Sequence, residues 1–575
     1  MRIKKTISKN FEFYYIIKDI NRNGKRTTKI VEKLGKIDDI KKRANNQDPM
    51  IWLTNYVNDL TIKEKEGTRE IIKSYSPTKI INKDVQNSFN GGYLFLQKIY
   101  YDLKVNNICK AIADRHQFKY DLNSILSNLL YSRIIYPSSK LKTLESSKKY
   151  LEQPNFQYND ILRALEVIAI EFDFIQSELY KNCSKYLKRN NKVLYYDCTN
   201  FFFEIEDEDE FRKYGKSKEN RPNPIVQMGL FMDGDGIPIA LDITPGNTNE
   251  QTTLKPLEEK IINDFNTSKF IVCTDAGLAS TTNRKFNNTN DRRFITTQSI
   301  KQLKGFLKEW ALDLTSGWKL YGSDKTYNIS KLREDDELIK KYYSKTFYKE
   351  RWIKENDLEQ RLIITYSPKY QEYQKKIRSN QINRALKLIE SNPTKLSKAK
   401  QNDPKRFITT ISTTTNGEVA EEKHYKLNQE IIINEAQYDG LYAICTNLED
   451  SVENIIKINH NRWEIEESFR IMKSEFKSRP VFLSREDRIK AHFITCFLAL
   501  VIFRYLEKKL DNKYTVEDII QTLKEMNFHK EDNDYIPTYN RTDLTDLLHE
   551  KFNFRTDYEI LSDKNIKKIF TLTKK

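Results

Sequence analysis

Three acids in this sequence stand where an apolar or amphipathic element could aim them at one point: Asp197 after VLYY, Asp275 after FIVCT, and Glu466 within NRWEIEESFRIMKSEF. A short apolar run ending in an aspartate reads as a buried strand that delivers a carboxylate at its carboxyl end, into the crevice where open sheets hold their ligands. For the third acid the argument is helical. At about 100° per residue Glu466 falls roughly 40°, and Lys473 roughly 20°, around the axis from Arg462. Base, acid and base share a stripe, and Ile465, Phe469 and Met472 lie together on its flank, so the stripe is expected at the edge of a core. Three carboxylates supply the hard oxygen ligands that divalent cations need. Two such ions, roughly 4 Å apart, would activate a water or a 3′-hydroxyl and stabilise the oxygen leaving phosphorus, while Arg462 and Lys473 met the phosphates of a bound strand. Taken singly, each aspartate is more often a turn residue, and Arg462 with Glu466 more often an i,i+4 pair on a surface helix. The combination carries the catalytic reading.

Other residues could serve the same centre. GKSKENRPNP places Lys216, Lys218 and Arg221 in a loop after the first acid, as candidate phosphate contacts or as a solvated basic loop. Thr199 and Asn200 could orient Asp197 through hydrogen bonds, or simply form a turn. Trp310, Trp318 and Trp352 could stack on an unpaired base, although aromatic residues at such positions are more often core. His460 and His492 have no metal-ligand spacing and read as structural.

The elements that must position these groups fall into several units. A chain of 575 residues with 38% hydrophobic content is too long for one core. Residues 1–75 read as a small β-hairpin unit, with a turn at Asn23-Gly24 between two aromatic and β-branched runs. Residues 80–190 have helical periodicity, with Ile125, Leu126, Leu129, Leu130 and Ile134 in one stretch, and form a candidate DNA-binding region or a plain bundle. Strand-like runs mark 191–300 and, after an insertion over 301–435, 436–510; residues 511–575 read as a C-terminal tail. An excess of 98 Lys+Arg over 81 Asp+Glu, a net charge of +17, favours a polyanionic partner, although an AT-rich genome gives the same composition. Six scattered cysteines form no C-x-x-C pair and fit a reducing compartment. The apolar run FITCFLALVIF is too short to span a bilayer, so it reads as a buried helix and no membrane partner is expected.

On these residues the sequence resembles the DDE transposases of bacterial insertion sequences, specifically the insertion-sequence-four group and its branch with a long N-terminal region. That group writes the helix of its third acid Y-x2-R-x3-E-x6-K; this chain has Asn459, Arg462, Glu466 and Lys473, with asparagine in place of the tyrosine. GKRTTKIVEKLGKI, RIIYPSSK, YYDCTNFFFE, GKSKENRPNPIVQMGLFMDGDGIPI, PGNTNEQTTL, DAGLAS and RPVFLSREDRIKAHFITCFLAL also look like this group. The resemblance implies an α/β fold: an RNase H-like catalytic core with a mixed five-stranded sheet and a largely β insertion before the third acid, preceded by a small β unit and a helical N-terminal region. It implies that Asp197, Asp275 and Glu466 bind Mg²⁺, two ions per site, with Mn²⁺ as a substitute. It further implies nicking at transposon ends, strand transfer of the freed 3′-hydroxyl into target DNA, and a homodimer that pairs the two ends. Such a protein is expected in the bacterial cytoplasm, with the nucleoid. A nuclease that never joins ends, and a DNA-binding relic, are the alternative readings.

Overall fold

Alternating aromatic and β-branched residues open the chain, and in the computed structural model they form an antiparallel sheet of β1 (Arg2–Ser8), β2 (Phe11–Arg22) and β3 (Lys25–Gly35). The structure describes all residues except 9–10, 23–24, 45–47, 69–72, 74, 79, 187, 324, 392–402 and 413–422. The expected Asn23-Gly24 turn lies outside the described residues, although β2 and β3 pair up to Arg22↔Lys25. Tyr14 and Ile16 of β2 and Leu34 of β3 form a small core with Ile40 of α1 (Ile37–Ala44) and with Leu53 and Val57 of α2 (Pro49–Thr68). The unit is therefore more than a hairpin. A two-stranded ribbon has one apolar face and nothing to bury it against, and the two helices supply that cover. This first unit is Met1–Val85, and the second is Gln86–Lys575.

The second unit begins with β4 (Ser88–Asn90) and six helices: α3 (Tyr93–Asp102), α4 (Val105–Arg115), α5 (Leu122–Ile135), α6 (Lys140–Ser147), α7 (Tyr158–Ile170) and α8 (Phe172–Tyr186). Asp121 and Ser139 start α5 and α6 by accepting the backbone N–H of Ser124 and Lys142. Next come β5 (Val193–Phe202), β6 (Ile225–Asp233), β7 (Pro238–Pro245), α9 (Glu250–Asp264), β8 (Phe270–Thr274), α10 (Thr281–Phe286) and β9 (Arg292–Gln298). These strands lie in the order β7-β6-β5-β8-β9, antiparallel from β7 to β5 and parallel from β5 to β9. A parallel neighbour requires a crossover, which α9 provides between β7 and β8.

Residues beyond β9 form α11 (Gly305–Leu312), β10 (Trp318–Leu320), β11 (Thr326–Tyr327), α12 (Ile329–Glu334), α13 (Asp336–Lys341), β12 (Phe347–Glu355), β13 (Leu358–Tyr366), α14 (Pro368–Glu390), β14 (Ile408–Ser412), β15 (Lys423–Leu427) and α15 (Gln429–Ala436). Expected as a largely β insertion, this segment is mixed, and its longest element is the 23-residue α14. Nor do its strands all stand apart. β16 (Leu441–Thr446) pairs with both β9 and β13, which extends the sheet to ten strands in the order β11-β10-β12-β13-β16-β9-β8-β5-β6-β7. Leu362, Ile363 and Ile364 of β13 are all fully buried, so both faces of that strand are apolar and it needs cover on both sides.

The chain then enters α16 (Val452–His460), α17 (Trp463–Arg470) and α18 (Glu486–Lys509). By length and composition α18 could cross a membrane, but its most apolar window is 94% buried in the fold, against α5 and α7. The segment read as a tail is a folded part of this unit: α19 (Val516–Glu525), β17 (Asn527–Glu531), β18 (Asp534–Pro537), α20 (Asp543–Phe552), β19 (Leu561–Ser562) and α21 (Asp563–Thr573). β17 pairs with β4, near the start of the unit, in a sheet ordered β19-β18-β17-β4. Leu523, Phe528, Leu548 and Ile566 join the same core as α18.

Candidate active site

Two of the three acids are brought together by strand register. β5 and β8 run parallel with Val193 opposite Ile271 and Tyr195 opposite Cys273; continued two residues, that register sets Asp197 beside Asp275. The two strands do not end alike. Asp275 directly follows the last residue of β8, as expected, whereas Asp197 lies mid-strand, paired with Leu230, because β6 accompanies β5 as far as Phe202. The opening beside Asp197 is made by the end of β8, not of β5. Alternation fixes the face: Val193, Tyr195, Phe201 and Cys273 share a core with Ile465, Phe469 and Met472, so both acids point to the side covered by α17.

Burial pushes the Asp197 carboxyl up to about 6; Lys218 and Arg462 oppose that rise, and the neighbouring Asp275 adds to it. One Asp197 oxygen accepts the Cys198 N–H at 2.7 Å. Arg462 caps α17, with a guanidinium 3.4 Å from the Glu466 carboxylate and its charge also facing Asp197 and the Tyr442 phenol. The i,i+4 pair and the link to the acid pair thus exist together. Glu466 itself is 59% exposed and tied to Arg462, so the three acids do not close into a cage. Among the described residues, the trio whose ligand atoms all lie within 4.8 Å of one another is Asp546, His549 and Asp557. Arg541 and Arg555 already neutralise it, at 2.7 Å from Asp546 and 2.6 Å from Asp557.

Lys473 departs from the helical-wheel expectation. The stretch 461–476 is not one α-helix: α16 ends at His460, Arg462 caps α17, and 471–475 form a π turn in which Phe476 N–H donates to the Ile471 carbonyl at 2.9 Å. A π turn takes up an extra residue, so the angle from Arg462 does not carry through. Lys473 instead pairs with Glu219 at 3.2 Å and lies over the Phe201 ring. Of the basic loop, Lys218 reaches the site: its ammonium donates to the Cys198 carbonyl and lies 3.4 Å from Glu250. Lys216 and Arg221 are exposed, Arg221 over the Phe202 ring. Asn200 does not orient Asp197. Its amide donates to the Lys216 carbonyl and its oxygen accepts the Lys218 N–H, so it holds the loop that presents Lys218. Thr199 is buried. Trp318 is core, Trp310 packs on it partly buried, and Trp352 is exposed. His492 is buried with Nε2 2.9 Å from the Ser478 carbonyl oxygen.

Sequence reasoning missed Tyr442 and Glu219. Tyr442 of β16 looks like any strand aromatic, yet its hydroxyl accepts from the Asn459 amide at 3.1 Å and lies 2.6 Å from the Thr297 hydroxyl, facing Arg462. A phenol therefore stands beside the asparagine that replaces the motif tyrosine. Tyr442→Phe is expected to lower stability by about 1–2 kcal/mol, because it leaves the Asn459 amide short of a partner, and to slow any reaction at the acids several-fold. Thermal melts and single-turnover rates measure both, and no change in either would confine Tyr442 to packing.

Side-by-side carboxylates, one held up to about 6 by burial and its neighbour, fit a divalent cation, which would bind the ionised forms through hard oxygens. Residues 198–502, more than half of the chain, match the family model described as transposase DDE domain; the match begins at the residue after Asp197 and takes in Asp275 and Glu466. No curated protein matches the chain. Among solved structures, a piggyBac transposase in a synaptic complex with hairpin DNA is similar at 9% identity and a TM-score of 0.36, covering 85% of this chain and 86% of that one. A likeness that low carries no argument here.

Proposed function

The chain belongs to the transposase DDE-domain family, and from that premise we propose that it is an insertion-sequence transposase of the insertion-sequence-four kind, acting at Asp197, Asp275 and Glu466. The observation that carries this reading is the register that sets Asp197 beside Asp275, under the helix that holds Arg462 and Glu466. The strand order β7-β6-β5-β8-β9, with its antiparallel and parallel halves, supports an RNase H-like core within the larger sheet.

Asp197 and Asp275, with Glu466, would hold Mg²⁺, two ions in this reading, which lower the pKa of an attacking hydroxyl and stabilise the leaving oxygen. The chain's own residues bind and orient the DNA. Arg462 offers a planar fork to a phosphate, Lys218 a point charge on a loop that Asn200 keeps in place, and Tyr442 with Asn459 fixes the base of α17. Water attacks phosphorus at the element's boundary and the bond to the 3′-oxygen breaks; that freed 3′-hydroxyl then attacks a target phosphodiester. One ester bond is exchanged for another in the second step, so no external energy source is needed. Two ends must be joined to one target, which calls for a homodimer.

The test is cleavage of supercoiled DNA carrying the element's ends, with Mg²⁺ and with EDTA. Metal-dependent nicking at the boundary with joining into a second DNA is the expected result. Nicking without joining would make the protein a nuclease, and end-binding without either a DNA-binding relic. Arg462→Ala is expected to slow cleavage about ten- to hundredfold, since a charged contact to phosphate is worth roughly 1.5–3 kcal/mol. A wild-type rate would confine Arg462 to its ion pair with Glu466.

A further inference from the structure

RIIYPSSK, residues 133–140, takes no part in the site above, yet its Arg133, Pro137, Ser138, Ser139 and Lys140 line a cavity of about 230 Å³ together with Arg479 and with His492 of α18. Positive groups crowd this cavity. Lys140 is 6% exposed and Arg133 4%, and neither the Lys140 ammonium nor Arg133 Nε has a hydrogen-bond partner. Three of the other Arg133 N–H groups donate to the carbonyls of Phe476, Lys477 and Ser138. Among the described lining residues there is no acid. A buried ammonium with no counter-charge is disfavoured, and burial with Arg133 nearby pushes Lys140 down to about 7. Lys140 and Leu141, which line the cavity, are also the first residues of the eight-residue α6, where backbone N–H groups lack helical acceptors and favour an anion.

We propose that this cavity is a second DNA contact, which holds one backbone phosphate through the Lys140 side chain, the Lys140 and Leu141 N–H groups at the start of α6, and Arg479. The ligand's identity rests on the transposase reading. Charged neighbours connect the cavity to the acids: Arg479 is 3.2 Å from Glu219, which also binds Lys473 and directly follows Lys218 of the acid site. A strand laid over the acids would pass the Lys218–Glu219 corner to reach Arg479.

Full-length protein would be titrated with a short fluorescent duplex bearing the element's end across a salt series, as wild type and as Lys140→Met. Methionine keeps the length and removes the charge, so the unliganded variant should melt at or above wild type. Its affinity should fall about tenfold and its salt slope by about one, the signature of one lost phosphate contact. Arg479→Gln, on the rim, should show the same direction and stands in if Lys140→Met fails to fold. Inorganic phosphate alone is the second arm. If it raises the melting temperature of wild type but not of Lys140→Met, while DNA binding is equal in both, the ligand is a free phosphate and the DNA assignment is overturned. Equal DNA binding and equal phosphate response overturn the site altogether. A wild type that binds no DNA sinks the transposase reading and this ligand together, whereas binding that is indifferent to Lys140 sinks only the inference.

Discussion

Asp197→Asn, Asp275→Asn and Glu466→Gln are each expected to reduce cleavage on the order of a thousandfold or more while leaving end-binding in place. Each removes a charge from the proposed cation-binding set, and several kcal/mol of transition-state stabilisation at about 1.4 kcal/mol per factor of ten gives that scale. Loss of activity will not reflect unfolding at Asp197. Its folded value, about 6, lies above its ordinary 3.8, so the folded chain binds that proton more tightly than the unfolded chain. Ionised Asp197 therefore costs stability above about pH 6, and the cost disappears as pH falls toward 3.8. Without metal, Asp197→Asn should melt at or above wild type at neutral pH, and the two should converge toward the acid end. At subsaturating Mg²⁺ the wild-type cleavage rate should climb with pH toward about 6 and flatten, and the break should move to lower pH as Mg²⁺ is raised, since the proton competes with the cation for Asp197. Full cleavage by all three variants would remove these acids from the chemistry, and loss in the two aspartates alone would return Glu466 to its pairing with Arg462.

The sequence carried the acids well and their surroundings poorly, for reasons that differ residue by residue. VLYY and FIVCT are short apolar runs that only a buried strand explains, so Asp197 and Asp275 were visible; their register was not, because pairing is a property of two segments. Ile465, Phe469 and Met472 marked the buried flank of α17, and all three are buried. Lys473 misled because an α-helical wheel has no place for a π turn. The C-terminal segment looked like a tail because each of its elements is short, and only the pairing of Asn527–Glu531 with Ser88–Asn90, far away in sequence, makes it a sheet. The largely β insertion is implied by the resemblance alone; the residues themselves read as mixed, with strand-like RLIITYS and a basic helix around 371–390, and the structure has both, as β13 and α14. Tyr442 could not have been singled out from LYAICT, where alternation says core and only the Asn459 amide says otherwise.

Arg189→Met is expected to destabilise the second unit by about 3–5 kcal/mol, the usual cost of stranding one partner of a buried ion pair. The Arg189 guanidinium lies 2.6 Å from Asp233, and the side chains are 1% and 0% exposed. The same arginine donates to the Ile237 and Pro238 carbonyls, and Asp233 accepts the N–H groups of Asp235 and Ile237, so the pair ties the start of β5 to the β6–β7 turn. Asp233 lies opposite Leu194, three residues before Asp197, which makes this pair a buried anchor of the strand that carries Asp197. Adding Asp233→Asn should recover most of the loss, because the amide oxygen can still accept the turn's N–H groups while no charge is left buried. Urea denaturation of wild type, single and double variants separates the causes. A double variant as unstable as the single would mean that packing of the arginine stem, not the stranded carboxylate, holds β5 in register for its acid.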